Sequence, residues 1–190
     1  SGGAGYAIEF AGPAIDALPV EARLTLCNMT TELSAFTGLI AADRKVLDYC
    51  VGRRYAPQGE LWDQAAQHWQ SLRSDEGAAF DQEHSFEVGS LKPQLSWGTS
   101  PQHCVDWDDA IPHASDAPDA SASAAWRRAQ DYMGVTPGSQ LSDYALDAAF
   151  IGSCTNSRLS DLQLAAAYLE RTGYKVAKGV KALCVPGSGQ

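Results

Sequence analysis

Apolar positions along residues 20–36, "VEARLTLCNMTTELSAF", return at spacings of three and four: Leu26, Met29, Leu33 and Phe36. That period predicts a helix with one apolar face. Upstream, "YAIEF" at 6–10 is rich in strand formers and follows a Gly-rich turn, so it reads as a strand. Residues 43–54, "DRKVLDYCVGRR", predict a second helix with Asp43 as its N-cap. A third runs over 59–75, with Leu61, Ala65, His68, Trp69 and Leu72 on one stripe. "EHSFEVG" (83–89) alternates and predicts a strand, and "PQLSWG" (93–98) predicts an extended segment ending in a turn.

The pattern then breaks. Residues 106–124, "DWDDAIPHASDAPDASASA", are dense in Asp, Ala, Ser and Pro and predict a surface connection with little to bury. The expected organisation is an incomplete first domain at 1–105, this connection at 106–124, and the start of a second domain at 125–190. A helix is expected over 123–134. "YALDAAFIG" (144–152) reads as a buried strand and "VKALCVPG" (180–187) as another. Between them, 157–173 predicts a helix with Leu159, Leu162, Ala166 and Leu169 on one side. Ser157 is the expected N-cap, Asp161 lies at the positive helix end and Gly173 is the stop. Strand, helix, strand in that order predicts a parallel β-α-β unit and an α/β fold. No repeat of 20–50 residues is present.

Composition narrows the function classes. The chain has 190 residues, 45% hydrophobic and 19% charged, which suits a packed globular protein. A net charge of -9 argues against nucleic acid or an anionic membrane as partner. No apolar run reaches the ~18 residues of a membrane span. The opening "SGGAGYAIEF" has neither the basic region nor the apolar stretch of a signal peptide. The five cysteines, Cys27, Cys50, Cys104, Cys154 and Cys184, are odd in number, widely spaced and contain no C-x-x-C pair. Reduced thiols in the cytoplasm are therefore expected.

Two places could carry chemistry. Cys154, in "FIGSCTNSRLSDL", sits where a strand ends and a helix begins. Ligands in open α/β sheets bind there, and the positive helix end favours a thiolate. The pattern alone leaves two readings open, a packed thiol and a metal or cluster ligand. Asn28 and Glu32 are spaced i,i+4, so on a helix they share one face, away from the Leu26/Met29/Leu33 stripe. On pattern alone a solvated face is the favoured reading. His68, His84, His103 and His113 show no metal spacing, and no Walker A pattern is present.

"IGSCTNSRLSDL" resembles the first signature of the aconitase superfamily, a strand followed by G-S-C-T-N. "GGAGYAIEFAGPAI", "ARLTLCNMTTE", "LIAADRKVLDYCVGR", "SDEGAAFD", "PQLSWGTSP" and "VKALCVPGSG" extend the likeness along essentially the whole chain. They resemble the large subunits of bacterial 3-isopropylmalate dehydratases. The resemblance implies a three-layer α/β/α fold with a mostly parallel sheet. It implies a hydro-lyase acting through a 4Fe–4S cluster, with Cys154 ligating one iron. It places Asn28 and Glu32 in the active site: Glu32 accepts a hydrogen bond from the iron-bound water or hydroxyl, and Asn28 orients its surroundings. The implied reaction moves the hydroxyl of 2-isopropylmalate, a small dicarboxylic hydroxy acid, to the neighbouring carbon by dehydration and rehydration, in leucine biosynthesis. A small subunit, as a separate chain, is the implied partner.

The sequence departs from the family at "SAFTGLIAAD", where Phe36 stands at a position often Arg or Lys and Ala42 replaces a proline. Homoaconitase or another hydro-lyase of the family is the neighbouring reading. A cluster-free interaction module is the reading from a different class. The family's Asp-His and His segments would precede this stretch, and its C-x-x-C ligands would follow it. The stretch is therefore expected to be a central piece with one cluster thiol, holding no cluster and showing no turnover by itself.

Overall fold

The computed structural model describes residues 2–152 and 155–188. These fall into two compact units. One comprises the described residues of 2–85, 150–176 and 183–188, the other 86–149 and 177–182.

In the first unit, β1 (Ala7–Glu9) and β2 (Thr37–Leu39) pair in parallel, with Ala7 opposite Thr37 and Glu9 opposite Leu39. Parallel neighbours need a crossover. It is supplied by α1 (Pro13–Ala17), α2 (Val20–Met29) and a 3-10 turn (Thr30–Leu33). The predicted 20–36 helix thus ends seven residues early. Thr30 and Thr31 side chains donate to the Cys27 and Asn28 carbonyls at 2.7 and 2.9 Å, and Ser34 takes a left-handed φ of 62°. Such local side-chain bonds compete with helix continuation.

The buried positions also differ from the expected apolar stripe. Met29 and Leu33 are half exposed, whereas Arg23 and Thr30 are buried. Gly38 explains part of this. A Cβ there would lie 2.7 Å from Thr30 Cγ2 and 2.9 Å from Cys27 Cα. Only glycine lets β2 approach α2 so closely. α3 (Arg44–Cys50) begins as predicted, with the Asp43 side chain accepting from Val46 N. α4 (Glu60–Ser71) carries Trp62 against Trp69 edge-to-face, centroids 5.9 Å apart.

In the second unit, β3 (Gln94–Ser96) and β4 (Cys104–Asp106) form an antiparallel hairpin. Its core is Trp97, Ile111 and Ala129, surrounded by Val105, Trp126, Val135, Leu141 and Tyr144. Residues 106–124 depart here from the expected solvated connection. Ile111 is 1% exposed, and Ala114 is buried in a short 3-10 turn. One large aliphatic among many small polar residues is enough to anchor the stretch, since full burial of such a side chain contributes about 1.5–3 kcal/mol. Asp119 then caps α5 (Ala120–Met133), and Gly134 ends it with a left-handed φ of 68°. The strand expected at 83–89 is absent: that stretch has no regular structure.

β5 (Ala148–Ile151), α6 (Leu159–Thr172) and β6 (Lys181–Cys184) make the predicted β-α-β order, and β5 pairs with β6. Lys181 N bonds Asp147 O and Val185 N bonds Ile151 O, both at 2.9 Å. Both chains advance together between those bonds, which is the sign of parallel strands. The fold is α/β with parallel pairs, and the described strands join two by two. Both β5 and β6 are exposed along their lengths rather than buried, with Phe150 60% and Leu183 46% exposed. One helix and two strands cannot cover both faces of a sheet.

Candidate functional site

β5 delivers the chain to Gly152, whose Cβ, if present, would lie 2.9 Å from the Val185 carbonyl oxygen. Small size is therefore required where the strand hands over to the loop. Cys154 follows two positions on and, with Ser153, lies outside the described residues. Beyond it, Ser157 is buried and holds φ at +80°, a conformation unusual for a residue with a Cβ. Its carbonyl accepts from Gly187 N at 2.9 Å, which ties the loop to the segment after β6.

The helix cap differs from the expected one. Arg158, not Ser157, is the N-cap of α6, and Asp161 accepts from the Arg158 backbone N–H at 2.9 Å. The cap thus falls one residue later than expected, and the acidic residue three positions into the helix bonds back to it. Thr155, Asn156, Ser157, Arg158, Pro186 and Gly187 line a cavity of about 250 Å3 at this helix end.

This loop meets α2. The Thr25 hydroxyl lies 2.6 Å from Asn156 Oδ1. Arg158 Nη1 donates to Thr25 Oγ1 at 3.2 Å and to Asn156 Oδ1 at 3.3 Å. The loop that follows Cys154 is thereby bonded to the helix that carries Asn28 one turn later. Asn28 is exposed at the end of α2, and Glu32 is exposed in the 3-10 turn beyond it. The two straddle a change of helix type, so they do not share one continuous α-helical face. Thr25 and Arg158 were missed by pattern reading. Both stand inside quoted motifs, "ARLTLCNM" and "CTNSR", but only the fold puts them together.

The other thiols are spread out. Cys27, Cys50, Cys104 and Cys184 are free. Burial pushes the Cys27 thiol up from its ordinary value, which keeps it protonated and a poor ligand. Among the described residues, no three His, Cys, Asp or Glu side chains converge as a metal site. His103 is buried against Trp97, and His113 caps a 3-10 turn. Among the described residues, no helix is long and apolar enough to cross a membrane.

The family model described as Aconitase family (aconitate hydratase) matches residues 1–190. The chain is 52% identical over 188 residues to 3-isopropylmalate dehydratase large subunit 1 of Bradyrhizobium diazoefficiens, covering 99% of this chain and 39% of that protein. It is 54% identical over 180 residues to a 3-isopropylmalate dehydratase large subunit of Cupriavidus necator, covering 95% of this chain and 67% of that protein. The chain thus spans well under half the length of the first of these relatives.

Proposed function

We propose that this chain, which belongs to the aconitase family, is the part of a 3-isopropylmalate dehydratase large subunit that brings a cluster thiolate, Cys154, to the Asn28 and Glu32 segment. The observation that carries this reading is the hydrogen bonding of Thr25 to Asn156 and Arg158, which joins the Cys154 loop to the Asn28 helix. In this reading residues 1–105 belong to one domain of the whole protein and 125–190 open the next.

By its family this protein would use a 4Fe–4S cluster as a Lewis acid. The residues in hand do not make a complete site for it. Beyond Cys154 the chain offers four separate free thiols and, among the described residues, no converging ligand set. By the family pattern the remaining thiolates would come from a C-x-x-C segment, which this stretch does not contain.

What this chain supplies is a carboxylate and an amide. Dehydration of 2-isopropylmalate removes a hydroxyl from one carbon and a hydrogen from its neighbour. Rehydration returns them with places exchanged. Glu32 would accept a hydrogen bond from the departing water and from the water that re-adds, while the proton leaving the neighbouring carbon would go to a base that the family's Asp-His segments supply. Glu32 is exposed, so a substrate can reach its carboxylate without rearrangement. The Asn28 amide orients the reacting groups beside it. A small-subunit chain completes the substrate pocket, and the protein works in the cytoplasm, where the free cysteines stay reduced.

The test uses the full-length enzyme with its small subunit. Cys154→Ser should abolish the intact cluster, read from its visible absorbance and iron content, because serine is a poorer iron ligand. Glu32→Gln should keep the cluster and lower turnover by roughly 10²-fold, the usual scale for a positioned acid–base group. Unchanged absorbance and activity in the first variant would overturn the ligand assignment, and normal turnover in the second would make Glu32 structural. Assays with 2-isopropylmalate, homocitrate and citrate decide between this substrate and those of other family hydro-lyases.

A further inference from the structure

We infer that Arg158 is a positioning residue: its guanidinium clamps the loop after Cys154 to helix α2 and so sets where the thiolate stands relative to Asn28 and Glu32. This rests on the functional reading above. The argument is one of donors and acceptors. A threonine hydroxyl has one proton to give and can also accept. Thr25 Oγ1 has two carbonyl oxygens in reach, Asn156 Oδ1 at 2.6 Å and Glu21 O at 3.1 Å. The shorter contact takes the proton. Its lone pairs then accept from Arg158 Nη1, whose second N–H goes to Asn156 Oδ1. The three side chains close a ring in which Asn156 Oδ1 accepts from both Thr25 and Arg158, and Thr25 Oγ1 accepts from Arg158.

Two further features hold the arginine in place. It is the N-cap residue of α6, with Asp161 accepting from its backbone N–H and an Asp161 oxygen 3.9 Å from Nη1. The preceding Ser157 is buried in a left-handed conformation. A residue in that conformation persists only when its surroundings over-determine it. The side chain of Arg158 is only 24% exposed, so it lies along the loop instead of extending into solvent.

The first experiment is hydrogen exchange on this 190-residue chain, which needs no cluster. Arg158→Ala and Thr25→Val should each speed exchange about 5- to 10-fold, the scale of losing one or two modest hydrogen bonds. The faster amides should lie in both the last turn of α2 and residues 155–159. Thr25→Ser keeps the hydroxyl and should restore protection in both. Acceleration confined to one segment, or no rescue by serine, would overturn the clamp.

The second experiment uses the full-length enzyme. Arg158→Ala should retain the iron content of the parent and an unchanged KM for 2-isopropylmalate. Its kcat should drop on the order of 10- to 100-fold, as for a small misplacement of reacting groups. The double variant with Thr25→Val should be no worse than either single one. An unchanged kcat, or additive losses, would overturn the positioning role. Failure of the Cys154→Ser test with the exchange result intact would leave the clamp standing and remove only the cluster reading.

Discussion

Asp43 holds two structures together, and the consequences of removing it can be worked out from the bonds it makes. Its Oδ1 accepts from Val46 N at 3.1 Å, capping α3, and its Oδ2 accepts from Arg23 Nη2 at 2.7 Å. The Arg23 side chain is 4% exposed and that of Asp43 24%. Loss of the cap costs about 1 kcal/mol, and loss of a hydrogen bond to a charged group about 1.5–3 kcal/mol. A wholly buried pair broken on one side would cost about 3–5 kcal/mol. That limit is not reached, because Asp43 is partly solvated and Arg23 keeps the carbonyls of Leu18 and Asp16 at 3.2 and 3.0 Å. Asp43→Ala should therefore destabilise the chain by about 2–4 kcal/mol at neutral pH. Asp43→Asn keeps an oxygen for the cap and should fall between that variant and the parent. The Arg23 hydrogen bond holds the Asp43 carboxyl below its ordinary value of 3.8. A depressed carboxylate pKa contributes stability above the unfolded-state value and loses it as pH falls through the folded one. The gap between parent and Asp43→Ala should then narrow in acid below pH 3.8. Urea unfolding followed by circular dichroism at pH 7 and in acid measures both. A cost under about 0.5 kcal/mol, or a gap that does not change with acid, would refute the reasoning.

Two further outcomes concern other contacts. His103 stacks on Trp97 with centroids 4.6 Å apart, and burial lowers its pKa from 6.5. Its contribution should be complete above pH 6.5 and decline as pH falls from there towards the folded value, because the unfolded chain takes up the proton first. Unfolding midpoints measured against pH should show this slope in the parent and lack it in His103→Leu; equal slopes would remove His103 as the cause. Gly38→Ala should cost about 1–3 kcal/mol through overpacking, read from urea midpoints. Adding Thr30→Ser removes the methyl 2.7 Å away but leaves Cys27 Cα at 2.9 Å, so the rescue should be partial. Complete rescue would show that the α2 backbone is not the limit.

Elements whose signals are local were legible from the chain. Asp43 as a cap, Gly173 as a helix stop and the β5-α6-β6 order each depend on residues within one turn or one strand. The short strand β2 was not legible. "TGL" has no period to read, and the strand exists because Gly38 lets it close against α2. Ile111 was hidden by its neighbours, since composition over 106–124 says nothing about one anchoring side chain. The early end of α2 turned on two threonines whose hydroxyls bond back to carbonyls, a competition that an apolar stripe does not register. For the site, the motif around Cys154 was visible, but its meeting with Thr25 joins residues 131 positions apart and has no local trace.

That separation bears on what the Thr25–Asn156–Arg158 ring can do. Closing a loop of this length costs about 4 kcal/mol of chain entropy beyond a constant. Three partly solvated hydrogen bonds contribute about 0.5–1.5 kcal/mol each. They offset little once the side chains are themselves ordered, so packing elsewhere in the unit must bring the segments close. The ring then selects one geometry among those that packing already permits. A device of that size governs register more than stability. Arg158→Ala should consequently leave the urea midpoint of the 190-residue chain nearly unchanged, a shift worth less than about 1 kcal/mol, while local exchange at α2 and at 155–159 speeds up. A midpoint loss several times larger would mean that Arg158 holds the unit together, and its effect on turnover would then report unfolding and not position.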